Sequence, residues 1–256
     1  QQQQQQREEQ EGKRLQQLFK IQQSNPKYVR MQKVRAQLPA HALQTQILQL
    51  AAANQVLVIS GATGCGKSTQ VPQFLLDSML SSGEGGRAHV LCTQPRRLAA
   101  MAVADRVAAE RGERLGQGVG YQIRLERVAG PSTRLLFCTT GILLRRLEGD
   151  ADLTGVSHVV VDEVHERGID SDFLLIIMRE VLQRRPDLKL VLMSATLQAK
   201  LFVDYFAPVT TVGCVEIPGR TFPVDCLFVE DAVELSGYVC LPRSPFAKKP
   251  DKKGGG

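Results

Sequence analysis

The chain has 256 residues and 43% hydrophobic content, which suits one large or two small globular domains. It contains no apolar run of about 18 residues and no basic-then-apolar leader, so the sequence predicts a soluble protein of the cytoplasm or nucleus with no membrane partner. Six scattered cysteines without a CxxC pair argue against a structural zinc site or a disulfide framework.

The formal net charge of +6 is concentrated in one stretch of the chain. Between Pro95 and Arg146 there are ten arginines, no lysine and four acidic residues, a balance equal to that of the whole chain. Arginine presents planar, bidentate donors that suit phosphate groups. Charge alone leaves two interpretations of this stretch: a phosphate-backbone surface or an ordinary solvated helix face.

Polar, low-complexity sequence begins and ends the chain. Residues 1–37 are rich in glutamine and are predicted to be a partly helical or disordered lead-in. Within them, LQQLFKIQQ (15–23) has a weak apolar stripe, and either an extended helix or one packed back on the domain fits it. Residues 38–217 are predicted to form the main domain, and 218–256 the start of a linker or second domain with a disordered basic tail.

Between these ends, short apolar runs alternate with segments of helical period. The alternation predicts an α/β fold, a parallel sheet with helices on both faces, whose ligands sit at the carboxyl ends of the strands. The predicted strands are 55–60, 88–93, 134–139, 158–163 and 188–194. The predicted helices are 68–79, 97–111, 141–147, 171–183 and 199–206.

The loop after the first predicted strand reads GATGCGKST (61–69), which matches G-x-x-x-x-G-K-[ST] with a strand before it and a helix after it. Glycines let the backbone approach a phosphate, and the N–H groups of the helix start provide an anion site. Lys67 is expected to reach the terminal phosphates and Ser68 to offer a hydroxyl to Mg²⁺. The predicted nucleotide-binding residues of this loop are Gly61, Thr63, Gly64, Cys65, Gly66, Lys67, Ser68 and Thr69.

The stretch VVVDEVHERG (159–168) places a burst of ionisable groups directly after a run of valines. Carboxylates at the end of a buried strand are costly unless partners or ligands meet them. A nucleotide at Lys67 needs a metal holder and a base for water on a neighbouring strand, so Asp162 is predicted to hold Mg²⁺ and Glu163 to activate the attacking water. His165 and Arg167 are better placed to relay the nucleotide state.

Five ordered motifs carry a family resemblance. They occur in the order and approximate spacing of the first RecA-like domain of DEAH-box/RHA helicases, and the resemblance runs from about Leu38 to Val224. One departure is Val164, where the namesake box has alanine; valine or isoleucine there is similar to the RNA helicase A-type branch, which includes G-quadruplex-resolving and ribosome-associated members. The motifs are GATGCGKST (61–69), TQPRRLAA (93–100), TTGILLR (139–145), DEVHER (162–167) and SAT (194–196).

The resemblance implies a RecA-like P-loop NTPase that uses ATP or ADP with Mg²⁺, and it implies roles for individual residues. Arg96 and Arg97 resemble residues that clamp the nucleic-acid backbone, Thr139 resembles a backbone-contacting threonine, and Arg124 a hook-turn arginine on the same path. Arg106 resembles the arginine that stacks on the adenine face, although a solvent-facing helix arginine fits the sequence too.

The resemblance also implies a coupling device and further partners. Ser194 and Thr196 are expected to link the ATP site to RNA movement by switching hydrogen bonds with His165. In the family, a second RecA-like domain contributes arginine fingers in a glycine- and arginine-rich motif, and no such motif follows PGRTFPV (218–224), so the chain is expected to be a first motor domain that is nearly inactive alone.

The predicted function is the ATP-binding motor domain of an ATP-dependent RNA helicase, acting on single-stranded or structured RNA, including G-quadruplexes. Two alternatives stay open at this stage: a P-loop ATPase that acts on DNA, G-quadruplexes or protein, and a nucleotide- and RNA-binding module without turnover.

Overall fold

A computed structural model of the chain describes residues 2–195, 199–219, 225–239 and 241. The chain divides into two compact units, Gln1–Arg220 and Thr221–Gly256. In the second unit, the described residues include one helix, which is numbered α10 below. No helix in the described ranges combines the length and apolar character needed to cross a membrane.

The first unit is built on one sheet with the strand order β4-β3-β5-β2-β6-β7-β1-β8. Every neighbouring pair is parallel except β3 with β4, which is antiparallel at one edge. The strands are β1 (Val56–Gly61), β2 (Val90–Gln94), β3 (Val119–Ile123), β4 (Glu126–Val128), β5 (Leu135–Thr139), β6 (His158–Val161), β7 (Lys189–Ser194) and β8 (Val212–Ile217).

Helices cover both faces of this sheet. Short 3₁₀ turns lie at Glu84–Arg87 and Val164–Glu166. The described helices are α1 (Gln2–Gln23), α2 (Pro26–Arg35), α3 (Pro39–Ala42), α4 (Gln44–Ala53), α5 (Lys67–Ser82), α6 (Arg97–Glu110), α7 (Thr140–Gly149), α8 (Ile169–Arg184), α9 (Ala199–Phe206) and α10 (Val229–Ser236).

Alternation along the strands creates a separate core on each face. In β1, Leu57 and Ile59 pack with residues of α4, α5 and α6, whereas Val56 and Val58 pack with residues of α8 and α9. All six residues of β1 are buried, as expected for a central parallel strand with side chains covered on both faces. The predicted α/β fold with helices on both faces is therefore confirmed.

Three strands were missed by the sequence analysis, and one was predicted too long. The missed strands β3, β4 and β8 lie towards the two edges of the sheet. β8 alternates buried and exposed residues, and no residue of β4 is fully buried, so neither has the continuous apolar run of a central strand. β3 is mostly buried, but Gly120 and Gln122 interrupt its apolar run. The strand predicted at 158–163 ends at Val161, so Asp162 and Glu163 lie in the loop that follows.

The glutamine-rich beginning of the chain is helical and packs on the first unit. Phe19 of α1 is buried and meets Tyr28 edge to face, with ring centroids 6.3 Å apart. Gln16 Nε2 donates to Ser81 O over 2.6 Å. Gly12 lies so close to the backbone of Gly83 that a Cβ there would clash. Of the two arrangements left open for 15–23, the helix packed back on the domain is the one observed.

Candidate active site at the carboxyl edge of the sheet

The predicted functional residues collect at one edge of the sheet because parallel strands end on the same side. Following the strand order, Arg124 comes after β3, Thr139 ends β5, Arg96 comes after β2, Asp162 follows β6, and Gly61 ends β1. The residues expected to meet nucleic acid thus lie towards the β3 side, and those expected to meet the nucleotide towards the β1 side. The two groups adjoin at β2 and β6, which pair in register.

The GATGCGKST loop has the backbone of an anion-binding turn. Gly64 and Gly66 have φ of 82° and 98°, a left-handed conformation that favours glycine. Within the described residues, the N–H groups of Thr63, Gly64 and Gly66 donate to no protein acceptor. A Cβ at Gly64 would meet nothing within 4 Å, so open space adjoins the loop. A phosphate group fits this set of free donors.

Lys67 is buried inside the turn and not on an exposed loop face. Its Nζ contacts the carbonyl oxygen of Gly61, donates to Ala62 O over 3.1 Å and lies 3.7 Å from Cys65 Sγ. Loop carbonyls therefore hold the ammonium beside the start of α5. The hydroxyl of Thr69 points back to Gly66 O at 3.4 Å, which fits a packing role in the first helical turn.

Asp162 is the most enclosed carboxylate of the site, with 2% of its surface exposed. Gln94 Nε2 donates to Asp162 Oδ2 over 2.6 Å, and the Glu163 N–H donates to Asp162 Oδ1 over 2.9 Å. Burial raises the pKa of Asp162, while hydrogen bonds from Ser68, Gln94 and Glu163 N–H and the charge of Lys67 oppose that rise. A divalent cation would favour the charged form of this carboxyl further.

Ser68 and Asp162 meet across the end of β7. The prediction that the carboxylates follow a strand next to the loop strand is wrong, because β7 lies between β1 and β6. The hydroxyl of Ser68, at the start of α5, nevertheless lies close enough to the Asp162 carboxylate to lower its pKa.

This pair fits Mg²⁺ bound together with a nucleotide. Mg²⁺ in nucleotide sites is usually held by one or two protein oxygens with phosphates and water completing the shell. The described residues contain no group of three or more His, Cys, Asp or Glu side chains that could hold a metal by themselves. The hydroxyl of Ser68 and the carboxylate of Asp162 supply the two protein oxygens of such a site, in which nucleotide phosphates complete the coordination of Mg²⁺.

Glu163 adopts a strained conformation that turns the chain out of the strand. Its φ is 55°, left-handed for a residue with a side chain. Its carboxylate oxygen Oε2 lies 3.3 Å from His165 Nδ1. Burial raises the pKa of Glu163, and so does the charge of Asp162, which makes this carboxylate a better proton acceptor.

His165 connects the DEVHER loop to the end of β7. The Ala195 N–H donates to His165 Nδ1 over 3.2 Å, and the same nitrogen faces Glu163. One ring nitrogen either accepts from a backbone N–H or donates to a carboxylate, so the two contacts are alternatives set by the proton position. Ser194 is fully buried beside this contact at the end of β7, and the prediction for Thr196 falls outside the described residues.

Arg106 lies on α6 with about half of its side chain exposed. Its Nε donates to Glu110 Oε1 over 2.8 Å, one turn further along the helix. Glu110 is itself buried and accepts a hydrogen bond from Gln70 of α5 over 2.9 Å. Arg106 is thus connected through Glu110 to Gln70, which lies in the first turn of α5 after the glycine-rich loop.

Three of the four side chains predicted to contact nucleic acid are exposed. Arg96, Arg97 and Arg124 are open to solvent, and Thr139 is half-buried at the start of α7. Arg124 sits at the tip of the β3–β4 hairpin beside Leu125, which has φ of 67° and is 99% exposed. These side chains form a basic rim along the carboxyl edge of β3, β5 and β2.

One ion pair joins this rim to the DEVHER loop. Arg96 Nη2 lies 3.1 Å from Glu166 Oε1, and both side chains are open to solvent. The contact links β2 and β6, where the two groups of site residues adjoin.

Two supporting features were missed by the sequence analysis. Gln94, the last residue of β2, holds Asp162 in place, and the only signal for it is its position in TQPRR. The start of α3 also supports the glycine-rich loop: the Ala40 N–H donates to Cys65 O over 3.0 Å, and a Cβ on Gly66 would lie 3.2 Å from Leu38. No sequence signal marks this second contact.

A family profile described as DEAD/DEAH box helicase matches residues 41–202. The chain is similar to the putative ATP-dependent RNA helicase DHX57 of Homo sapiens, with 53% identity over 90% of the chain and 16% of the relative. It is 54% identical to the DExH-box ATP-dependent RNA helicase DExH3 of Arabidopsis thaliana, over 84% of the chain and 18% of the relative.

A third similar protein is the ATP-dependent RNA helicase DHX29 of Homo sapiens, with 48% identity over 91% of the chain and 17% of the relative. The chain therefore spans less than a fifth of the length of each of these three relatives.

Proposed function

This chain belongs to the DEAD/DEAH box helicase family, and we propose that it is the ATP-binding motor domain of an ATP-dependent RNA helicase. The observation that carries the proposal is the juxtaposition of Lys67, Ser68, Asp162 and Glu163 at one edge of the sheet. Proteins of this family use ATP, generally with Mg²⁺, and the free N–H groups of the glycine-rich loop supply a phosphate site of the required kind.

Each of these side chains has a distinct task in ATP hydrolysis. Lys67 binds the β- and γ-phosphates, and the backbone N–H groups of Gly64 and Gly66 wrap the phosphate chain. Ser68 and Asp162 hold Mg²⁺, which neutralises charge on the phosphates when bound. Glu163 accepts the proton of the attacking water, for which its raised pKa is suited.

The basic rim is proposed to bind the phosphate backbone of an RNA strand. Arg96, Arg97 and Arg124 are exposed and lie at the same edge, and guanidinium groups present bidentate donors that suit phosphate. Single-stranded and structured RNA, including G-quadruplexes, present the same backbone charge to this rim.

A second RecA-like domain is proposed to complete the motor. The Glu163 carboxylate can take a proton, but charge that develops on the γ-phosphate needs a cationic partner, and an arginine finger typically contributes about 10³ to 10⁵ of the rate. Arg106, the arginine expected to meet the base, is anchored on Glu110 of α6. We expect the arginine finger to come from outside this unit.

The decisive experiment measures phosphate release by a protein that carries both domains, with single-stranded RNA, single-stranded DNA and folded G-rich RNA as separate stimulants. RNA helicase function predicts stimulation by RNA above that by DNA, and no turnover in Glu163→Gln. Stimulation by DNA alone would favour a DNA-directed ATPase. Binding of ADP and RNA without any turnover would favour a module that only binds.

A parallel measurement uses the 256-residue chain alone. It should bind ADP with Mg²⁺ and release phosphate very slowly with or without RNA. RNA-stimulated turnover near one per second, on the order of ordinary enzyme rates, would contradict the two-domain proposal.

A further inference from the structure

A buried polar network lies beside the phosphate loop and is not used in the mechanism above. Arg35 of α2 is 2% exposed, Gln70 and Gln73 of α5 are fully enclosed, and Glu110 of α6 is 1% exposed. Burial of two charged groups and two amides is costly unless each finds partners. The network therefore reflects a specific arrangement of three helices and not general core packing.

Glu110 is the centre of this network. Its Oε2 accepts hydrogen bonds from Gln70 Nε2 over 2.9 Å and from Gln73 Nε2 over 2.8 Å. Its Oε1 accepts from Arg106 Nε over 2.8 Å. Because both oxygens are engaged from different helices, the Glu110 carboxylate has one orientation, and the guanidinium of Arg106 takes its position from that orientation.

Arg35 fixes the other side of the network. Its Nε donates to Gln70 Oε1 over 2.7 Å and lies 3.8 Å from Glu110 Oε2. This bond orients the Gln70 amide, because an oxygen engaged by Arg35 leaves the amide nitrogen free to donate to Glu110. The same nitrogen donates to Thr69 Oγ1 over 2.8 Å, next to the phosphate loop.

We propose that Arg35 is a positioning residue for the nucleoside part of the bound nucleotide: through Gln70 and Glu110 it sets the orientation in which Arg106 meets the base. The inference rests on the proposed function, since it requires a nucleotide at the glycine-rich loop. It assigns a role to the helical segment ahead of the main domain. Arg35 is the last residue of α2 in that segment. The phosphates, in contrast, are bound by Lys67 and the loop N–H groups, which Arg35 does not contact.

The test separates base binding from phosphate binding in the 256-residue chain by comparing the affinity for ADP with Mg²⁺ and for pyrophosphate with Mg²⁺ by calorimetry. Arg35→Lys keeps the buried charge but loses the planar Nε donor. It should weaken ADP binding by about fivefold, the size of an arginine contact to a ring face, and leave the pyrophosphate affinity within about twofold of wild type by the same reasoning.

The matched control is Arg111→Lys. Arg111 is as deeply buried as Arg35 and also contacts Asp77, but its other ion-pair partner is Glu113 and not the Gln70–Glu110 pair. Its substitution should lower thermal stability to a similar degree without changing the ratio of ADP to pyrophosphate affinity. An equal change of that ratio in both variants would overturn the proposal.

A double-mutant cycle provides the second arm. If Arg35 acts through Arg106, then Arg35→Lys should have no further effect on ADP affinity in an Arg106→Ala background. Additive losses would overturn the proposal. Should Arg35→Lys fold poorly, Glu110→Gln interrupts the same path with a neutral isostere, and the same non-additivity is expected.

The outcomes also distinguish this inference from the proposed function. Failure of the wild-type chain to bind either ADP or pyrophosphate would overturn the nucleotide site itself. Wild-type binding of ADP that is unchanged in Arg106→Ala, or a loss of ADP and pyrophosphate affinity in equal measure in Arg35→Lys, would overturn only the positioning role.

Discussion

Acidification is expected to destabilise the domain through His158, at the amino end of β6 and so at the opposite edge of the sheet from the site. The His158 ring nitrogen Nδ1 lies 3.0 Å from Ser157 Oγ. Burial, together with the nearby charge of Lys189, lowers the pKa of His158 to about 4. The ring is therefore neutral in the folded domain at pH values where an exposed histidine takes up a proton.

The direction of the pH effect on stability follows from the lowered pKa of His158. The unfolded chain binds the proton near pH 6.5 and the folded domain only near pH 4, so the stability contributed by neutral His158 is present above pH 6.5 and is lost as the pH falls. The difference corresponds to roughly 3 kcal/mol in full, of which about 2 kcal/mol is lost between pH 7 and pH 5. This is a large share of an ordinary domain stability of about 5–15 kcal/mol.

Urea denaturation at pH 7 and pH 5 of wild type and His158→Gln measures this contribution. Wild type should lose about 2 kcal/mol more than the variant over this interval. The raised pKa values of Asp162, Glu163 and Glu113 act in the opposite direction, but they are common to both proteins and cancel in the comparison. An equal loss in both proteins would mean that His158 accepts a proton in the folded state, and the reasoning would be refuted.

Three further predictions concern the site. Lys67→Ala should abolish ADP binding in calorimetry while the circular dichroism spectrum is retained, because the charge that faces the phosphates is removed. Glu163→Gln in the two-domain protein should bind ATP and RNA but release phosphate very slowly; the uncharged variant should also unfold at a higher temperature, since a raised pKa means that the charged form costs stability at neutral pH. Replacement of Arg96, Arg97 and Arg124 by alanine should weaken RNA binding for all sequences and lower its salt slope by about 1.4, mainly through the two arginines without an ion pair, measured by fluorescence anisotropy.

Each of these has an outcome that would count against it. Undiminished ADP affinity in the lysine variant would place the phosphates elsewhere, and wild-type turnover in the glutamine variant would remove Glu163 from the chemistry. For the arginine variant the matched control is Arg184→Ala, an exposed arginine of α8 paired with Asp152 at 2.8 Å. If the control and the triple variant have the same salt slope, the RNA path does not cross the basic rim.

The sequence was informative where the chemistry is contained in one contiguous loop. In GATGCGKST and DEVHER, short spacing and the flanking strands are enough to predict that Lys67, Ser68 and Asp162 lie at the same sheet edge. Parallel strands must end together, so the residues of different loops meet there. The insertion of β7 between β1 and β6 could not be predicted, because strand order depends on long-range pairing that a local pattern does not carry.

Side-chain pairs that join distant segments were also beyond prediction. Arg35 lies in a stretch whose composition indicated only a polar lead-in, yet its guanidinium is buried against Gln70. Glu110 was counted as one of the acids in the arginine-rich stretch, whereas it lies inside the domain and binds two glutamines of α5. Such contacts depend on how helices pack, and composition predicts them as exposed charges.

The ion pair between Arg96 and Glu166 bears on the counterions around the basic rim. An arginine that already faces a carboxylate at 3.1 Å holds fewer condensed or neighbouring anions than an unpaired one. When Arg96 exchanges Glu166 for an RNA phosphate, cations condensed on the strand are released, but the freed carboxylate attracts cations of its own, so the net release of salt is smaller than for an unpaired arginine. Arg97 and Arg124 have no ion pair within the described residues, so the ionic-strength dependence of strand binding should come mainly from these two side chains. The freed Glu166 carboxylate then adds a negative charge to the DEVHER loop at the moment when the strand arrives.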